Sequence, residues 1–247
     1  MVINPGEGTD SAGWETLDHF NEAPAFNNWL FDQILPYCKG DVLEAGSGIG
    51  NISGLMLDKH LKVVLSDLRS EYCELLKRKF AGNPYLQGVY QLDLSLADFE
   101  SRYPELLRRF DSVIVLNVIE HIREDALAVR NAMKLLRVGG NLIVLVPAGQ
   151  CLYNHFDREL GHFKRYTRSG LAGLLTEAGL KVLHTNYFNF GGIFGWWFSG
   201  SLMKNKIIPR SQLKLFNRLV PVFRIVDRLV AHTAGVSVIA VAANQSN

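Results

Sequence analysis

The sequence predicts an α/β fold, a doubly wound parallel sheet with helices on both faces, and three observations carry that expectation. Short apolar runs alternate with helical patterns between residues 41 and 147, a spacing that suits parallel strands joined by crossover helices. The runs are continuously apolar, as strands buried on both faces are. The first of them ends in Glu44-Ala45-Gly46-Ser47-Gly48-Ile49-Gly50, a turn too tight for side chains, where glycine lets a ligand approach the main chain. The helix that follows points its first N–H groups at whatever binds there.

Length and composition frame the rest. The 247 residues, 48% hydrophobic and 20% charged, suit a folded chain with a substantial core and one domain over residues 1–247. A formal net charge of +2 argues against bulk nucleic-acid binding. Cys38, Cys73 and Cys151 form no C-x-x-C pair, so free thiols in a reducing compartment are expected, with no zinc site. No signal-peptide pattern opens the sequence and no run reaches the ~18 apolar residues of a membrane span. A cytoplasmic enzyme is the expectation.

Residues 1–12 are polar and read as a mobile start. Residues 14–37 read as helical, with Phe20, Phe26, Trp29, Leu30 and Ile34 either packing on the sheet or covering a ligand. After the glycine turn, a helix over 52–61 leads to a buried strand that ends at Asp67-Leu68. An acid there, ~20 residues beyond the turn, is placed to accept hydrogen bonds from ribose hydroxyls, or to cap the next helix. A helix over 71–80 and an alternating strand over 86–92 follow, the strand ending at Asp93-Leu94. Residues 96–110 read as a further helix, and Asp111-Ser112-Val113-Ile114-Val115-Leu116 as a strand ending in Asn117-Val118-Ile119-Glu120-His121-Ile122. His121 reads as a base or as a local brace of that turn, Glu120 as a brace. A helix over 123–137 stops at Gly139-Gly140, and a fifth strand at 141–146 ends at Pro147.

The stretch from Tyr153 to Thr167 carries His155, Asp157, His162, Arg165 and Tyr166 on the carboxyl edge of the sheet, where open α/β folds bind ligands. Thr167 is an N-cap for a helix over 168–178, closed by Gly179. His155, His162 and Arg165 are candidates to line a substrate site, a histidine serving as acid or base. Strands at 180–187 and 236–242 follow, and the residues between them are too many for a plain loop. That insertion holds Trp196 and Trp197 among glycines, basic Lys204 and Lys206, and a helical run over 212–231 kinked at Pro221. Leu213, Phe216, Leu219, Val220, Phe223, Val226 and Val230 share one face of it; Lys214, Arg218, Arg224 and Arg228 lie on others. The segment reads as a helical cap serving as a packing appendage, a wall for a bulky apolar acceptor, a dimer contact or a membrane-surface helix.

The pattern Glu44-x-Gly46-x-Gly48-x-Gly50, the acids Asp67 and Asp93, and Asn117-x-x-Glu120-His121-Ile122 together resemble class I S-adenosylmethionine-dependent methyltransferases. Asp157, Gly161-His162 and Arg165-Tyr166-Thr167 resemble the D-x-x-x-G-H-x-R-R-Y-T signature of a ubiquinone/menaquinone-biosynthesis-like subgroup, with Lys164 in place of the first arginine. The resemblance implies a Rossmann-like seven-stranded sheet of order 3-2-1-4-5-7-6, its last strand antiparallel. It divides the domain into an N-terminal cover (1–38), a core sheet (39–188 and 235–244) and an inserted cap (189–234). It implies S-adenosylmethionine as cofactor, held by Glu44, Gly46, Ser47, Gly48, Asp67, Leu68, Asp93, Leu94 and Asn117, with S-adenosylhomocysteine as product. His121, His155 and His162 are then the candidates for proton removal, and Arg165, Tyr166, Trp196 and Trp197 for a small-molecule acceptor. No metal is expected. Peripheral membrane contact and a homodimer stay open, as do two rivals, a nicotinamide oxidoreductase and a non-catalytic binding module.

Overall fold

In the computed structural model of the protein, the structure describes residues 11–203, 205, 207–230 and 233–245. The expected mobile start and the basic Lys204 and Lys206 lie outside them. Seven strands form one mixed sheet: β1 (Asp41–Ala45), β2 (Lys62–Asp67), β3 (Leu86–Gln91), β4 (Phe110–Leu116), β5 (Leu136–Pro147), β6 (Leu180–Phe188) and β7 (Ser237–Asn244). Their order is β3-β2-β1-β4-β5-β7-β6. β7 runs antiparallel to both β5 and β6, while β1 to β5 pair parallel throughout.

Alternation along the central strands builds two cores, as the two-residue period of a strand requires. Leu142, Val144 and Val146 of β5 face one core; Ile143 and Leu145 face the other. The first is closed by α5 (Phe99–Arg102), α6 (Asp125–Lys134) and α8 (Arg168–Glu177), which contribute Phe99, Val129 and Leu171. The second is closed by α2 (Pro24–Ile34), α3 (Asn51–Asp58), α4 (Ser70–Lys79) and α10 (Arg210–Val230), through Trp29, Met56, Leu76 and Val220. Two shorter helices, α7 (His155–Glu159) and α9 (Gly192–Trp196), border the carboxyl edge, and a π-turn spans Trp197–Leu202. Thr167 caps α8 as expected, accepting from the Gly170 N–H at 3.0 Å.

Local chemistry corrects several expected boundaries. Residues 14–37 are not one helix: α1 (Ser11–Asn21) ends before Pro24, which begins α2, and a 3-10 turn follows at Leu35–Tyr37. Proline suits a helix start because its missing N–H has no partner to lose there. The helix expected over 96–110 shrinks to α5 and a 3-10 turn at Pro104–Leu106, since Pro104 cannot donate into a continuing ladder. Gly139-Gly140 does not stop a helix. α6 already ends at Lys134, and the glycine pair sits inside β5 where its register on β4 slips between Phe110 and Ser112. Gly139 takes φ +79°, a value that favours glycine, and a Cβ at Gly140 would press on the Arg137 and Phe110 carbonyls at 3.0 and 3.1 Å, so the glycine pair suits the bulge.

α10 runs unbroken for 21 residues through Pro221. It packs beside α2 on a face of the sheet, its buried Asp227 accepting the Asn189 N–H at 3.0 Å where β6 ends. Of the expected cap, α9 and the start of α10 lie at the carboxyl edge, while the rest of α10 packs on the sheet face.

Candidate active site

The carboxyl ends of the central strands open into a cavity of about 750 Å³, roofed by α1, α2, α9 and the start of α10. Its inner end is the glycine turn. Gly46 and Gly48 have φ of +82° and +54°, values that favour glycine, and a Cβ at Gly48 would lie 2.9 Å from Leu17 on α1. The Gly48 N–H donates to Asp67 Oδ2 at 2.9 Å and the Arg69 N–H donates to Oδ1 at 3.0 Å. Two backbone donors thus fix the Asp67 carboxylate at the cavity wall, with lone pairs left over for a ligand. Burial pushes its pKa up, opposed by those same N–H groups.

Glu44 is more deeply buried. Its carboxylate accepts the Ser53 hydroxyl, and burial lifts its pKa to about 7. It lines the cavity together with Ser47, Leu68, Asp93, Leu94 and Asn117. Leu68 is exposed, and Asp93 Oδ1 accepts the Ser95 N–H at 2.8 Å. Asn117 takes φ +53°, uncommon for a residue with a side chain, as β4 turns into the Ile119–His121 3-10 turn.

The outer end is apolar. Phe20, Phe26, Phe156, Phe188, Trp196 and Phe216 line it. Between the two ends lies a buried ionic chain. His162 Nδ1 and Arg165 Nε each stand 2.8 Å from Asp157 Oδ1, and Asp157 Oδ2 accepts the Asn154 N–H at 2.9 Å. Burial alone would raise the Asp157 pKa; the His162 hydrogen bond and the Arg165 charge outweigh it and hold the carboxyl below its ordinary value. The carboxylate is therefore ionised, and His162 Nδ1 carries the proton that it donates, which leaves Nε2 as acceptor. That nitrogen is 4.0 Å from Glu120 Oε1. Glu120 is fully buried, its two oxygens have no hydrogen-bond partner among the described residues, and burial raises its pKa to about 8. Ligand atoms of Glu120, His121 and His162 all lie within 4.8 Å of one another.

The candidate residues separate cleanly. Glu44, Gly46, Ser47, Gly48, Asp67, Leu68, Asp93, Leu94, Asn117, His121, His162, Arg165 and Trp196 line one cavity. His155 does not: it faces Glu159 at 3.5 Å, one helical turn away on α7. Tyr166 donates its hydroxyl to Asp125 at 2.9 Å, behind the wall. Trp197 is half-exposed outside the cavity, whereas Trp196 donates its indole N–H to the Leu152 carbonyl at 3.2 Å and stacks under the Arg165 guanidinium. Adjacent helical residues point about 100° apart, so the pair cannot share one wall. The joining of Glu120 to Asp157 through His162 was not foreseen. Its only signal was two short motifs about 40 residues apart, each carrying an acid and a histidine.

An open parallel sheet that binds at its carboxyl edge, with a glycine turn and an acid after the second strand, defines the class of nucleotide-cofactor α/β folds. Residues 43–142 match the family model described as a methyltransferase domain. The chain carries a methyltransferase domain by that match, which runs from β1 into β5, and its fold is that of S-adenosylmethionine-dependent methyltransferases among solved structures.

Among solved structures it is similar to phosphoethanolamine N-methyltransferase 2 of Haemonchus contortus in complex with S-adenosylmethionine. The identity is 13% and the TM-score 0.63, over 99% of this chain and 61% of that one. A SAM-dependent methyltransferase of Archaeoglobus fulgidus gives 14% and 0.56, over 88% and 94%. A curated relative, the fumosorinone synthetase of Cordyceps fumosorosea, is 27% identical over 166 residues, 66% of this chain; the chain spans 3% of that protein's length.

S-adenosylmethionine is the cofactor of this class, and the residues present fit it. The cradle at Gly46 and Gly48 has no room for side chains, and Asp67 is held by two backbone donors with acceptor capacity to spare. Among the described residues no helix is long and apolar enough to cross a membrane.

Proposed function

We propose that this protein transfers a methyl group from S-adenosylmethionine to an oxygen, nitrogen or carbon of a small apolar acceptor. One observation carries the reading: a single cavity joins the glycine-and-acid end to an aromatic end through His162 and Arg165. When bound, the cofactor supplies an electrophilic methyl on a sulfonium. In this reading Asp67 accepts from the ribose hydroxyls, Asp93 from the adenine amino group, and Asn117 and the glycine turn position the amino acid end. Glu44, spent on Ser53, braces that turn.

The aromatic side chains exclude water and fix the acceptor in line. Such positioning is worth ~7–11 kcal/mol in favourable cases. His162 is the base in this account. Asp157 fixes its orientation and stabilises the imidazolium formed when Nε2 takes a proton from an acceptor hydroxyl or amine.

Titration calorimetry with S-adenosylmethionine, followed by transfer of labelled methyl into solvent-extractable and aqueous fractions of a cell extract, tests the proposal. Label in the extractable fraction is expected. Tight cofactor binding with no labelled product in either fraction would favour a non-catalytic module. Asp157→Asn is expected to cut turnover about 10²–10⁴-fold, the usual reach of general-base catalysis, with cofactor affinity unchanged. Full activity in that variant would remove His162 from the base role.

A further inference from the structure

α10 has a second apolar face, turned away from the sheet. Leu215, Leu219, Val222, Ile225 and Leu229 recur at three- and four-residue spacing, and all are exposed, Leu229 at 82%. The segment just before it adds Phe194, Trp197, Phe198 and Leu202, each at least half exposed. Gln212 ties the two elements together: its amide donates to the Gly195 carbonyl at 3.0 Å and its oxygen accepts the Ser199 hydroxyl at 2.5 Å. Exposed apolar surface of this extent marks a contact with something.

Charge says with what. Apart from one buried acid, every charged side chain on α10 is basic: Arg210, Lys214, Arg218, Arg224 and Arg228. The helix's lone acid, Asp227, is buried and committed to the Asn189 and Phe190 N–H groups. Arg218 and Arg228 carry no salt bridge among the described residues. In a twofold contact with a second copy the same face would meet itself, bringing like charges together. An anionic bilayer offers the opposite arrangement. Apolar side chains sink to the acyl boundary, basic ones meet headgroups, and tryptophan favours the interface.

We infer that α10 and the segment 194–202 dock the protein onto an anionic phospholipid surface, lying on it without crossing. At 21 residues the helix is about 30 Å long, enough to lie along a surface as one rigid bar. Its N-terminal Leu213 and Phe216 line the cavity. Given the methyltransferase reading above, docking would bring an apolar acceptor to the cavity from the membrane.

Co-sedimentation with phosphatidylcholine vesicles, with and without phosphatidylserine, tests the docking and needs no turnover. Its failure is thus distinct from failure of the methyl-transfer reading. The chain is expected to pellet with the phosphatidylserine vesicles and to be released by salt. Arg218→Glu and Arg228→Glu are each expected to weaken binding by about fivefold or more. The triple variant Leu215→Ser, Ile225→Ser, Leu229→Ser is expected to lose it while keeping the wild-type melting temperature and cofactor affinity. Wild-type protein that stays in solution with both vesicles overturns the proposal, as does a triple variant that binds like the parent. A dimer dissolved by the triple variant, with no vesicle binding by the parent, assigns the stripe to self-association and overturns it equally.

Discussion

At the scale of single residues, the glycine turn and Asp67 act as one device. The Gly48 N–H holds the carboxylate that, in the proposed function, receives the ribose. Asp67→Ala is expected to weaken S-adenosylmethionine by about tenfold or more in titration calorimetry, since hydrogen bonds to charged groups contribute ~1.5–3 kcal/mol. Gly48→Val should abolish binding altogether. The valine would sit at φ +54° and press on Leu17, so it strains the turn and displaces α1. A folded Gly48→Val protein that binds normally would reduce the turn to a packing feature. These residues were legible because strand, turn and acid are neighbours in sequence. His162, Asp157 and Arg165 were legible as a motif with substrate-site candidates, but not as a bonded chain, because its link to Glu120 comes from the end of another strand.

At the scale of elements, the strands were readable from continuous apolar runs and the helices from their periodicity. What periodicity could not give is which apolar face is buried. α10 carries two: of the face singled out in the sequence, Leu213 and Val220 are buried, but Leu219 belongs to the open face with Leu215, Val222 and Ile225. The same ambiguity linked Trp197 with Trp196. The structure separates them, and so should mutation. Trp196→Ala is expected to lower acceptor turnover at least tenfold, because the indole walls the cavity and floors the Arg165 guanidinium. Trp197→Ala should leave turnover of a dissolved acceptor near the parent value. Steady-state rates with cofactor affinity measured alongside would expose the reverse ranking. The N-terminal cover was read as helical from its aromatics without a break; the break at Pro24 was written in the sequence and divides it into α1 and α2.

At the scale of the whole molecule, buried acids set the pH response. Glu44 and Glu120 have folded pKa values of about 7 and about 8, above their ordinary carboxyl range, both chiefly through burial. The folded state therefore holds protons that the unfolded chain releases. Stability contributed by these groups is greatest below the unfolded carboxyl pKa and falls as pH rises through the folded values. Asp157 and Asp111, held low, act in the opposite sense and lose their contribution in acid. Glu120→Gln is expected to flatten the decline of melting temperature between about pH 5 and pH 8, since an amide cannot ionise. An unchanged slope in scanning calorimetry would mean that Glu120 is already paired in the folded state.

The two coverings of the cavity are also joined to each other. Arg210 at the head of α10 bridges Asp18 and Glu22 of α1, Lys214 reaches Glu22 at 3.4 Å, and His19 Nδ1 meets the Ile208 carbonyl at 3.0 Å. α1 carries Leu17 against the glycine turn, and the Arg210 ion pairs are solvent-exposed, so the expected consequence is an electrostatic latch whose grip depends on ionic strength. Opening then becomes a kinetic gate. Salt should speed both entry and escape of S-adenosylmethionine while changing its equilibrium affinity little. Arg210→Glu should show fast, salt-insensitive exchange, a difference that stopped-flow fluorescence of Trp14, stacked on Tyr72 beside the site, is placed to follow. Equal salt dependence in both proteins would leave the gate without a latch.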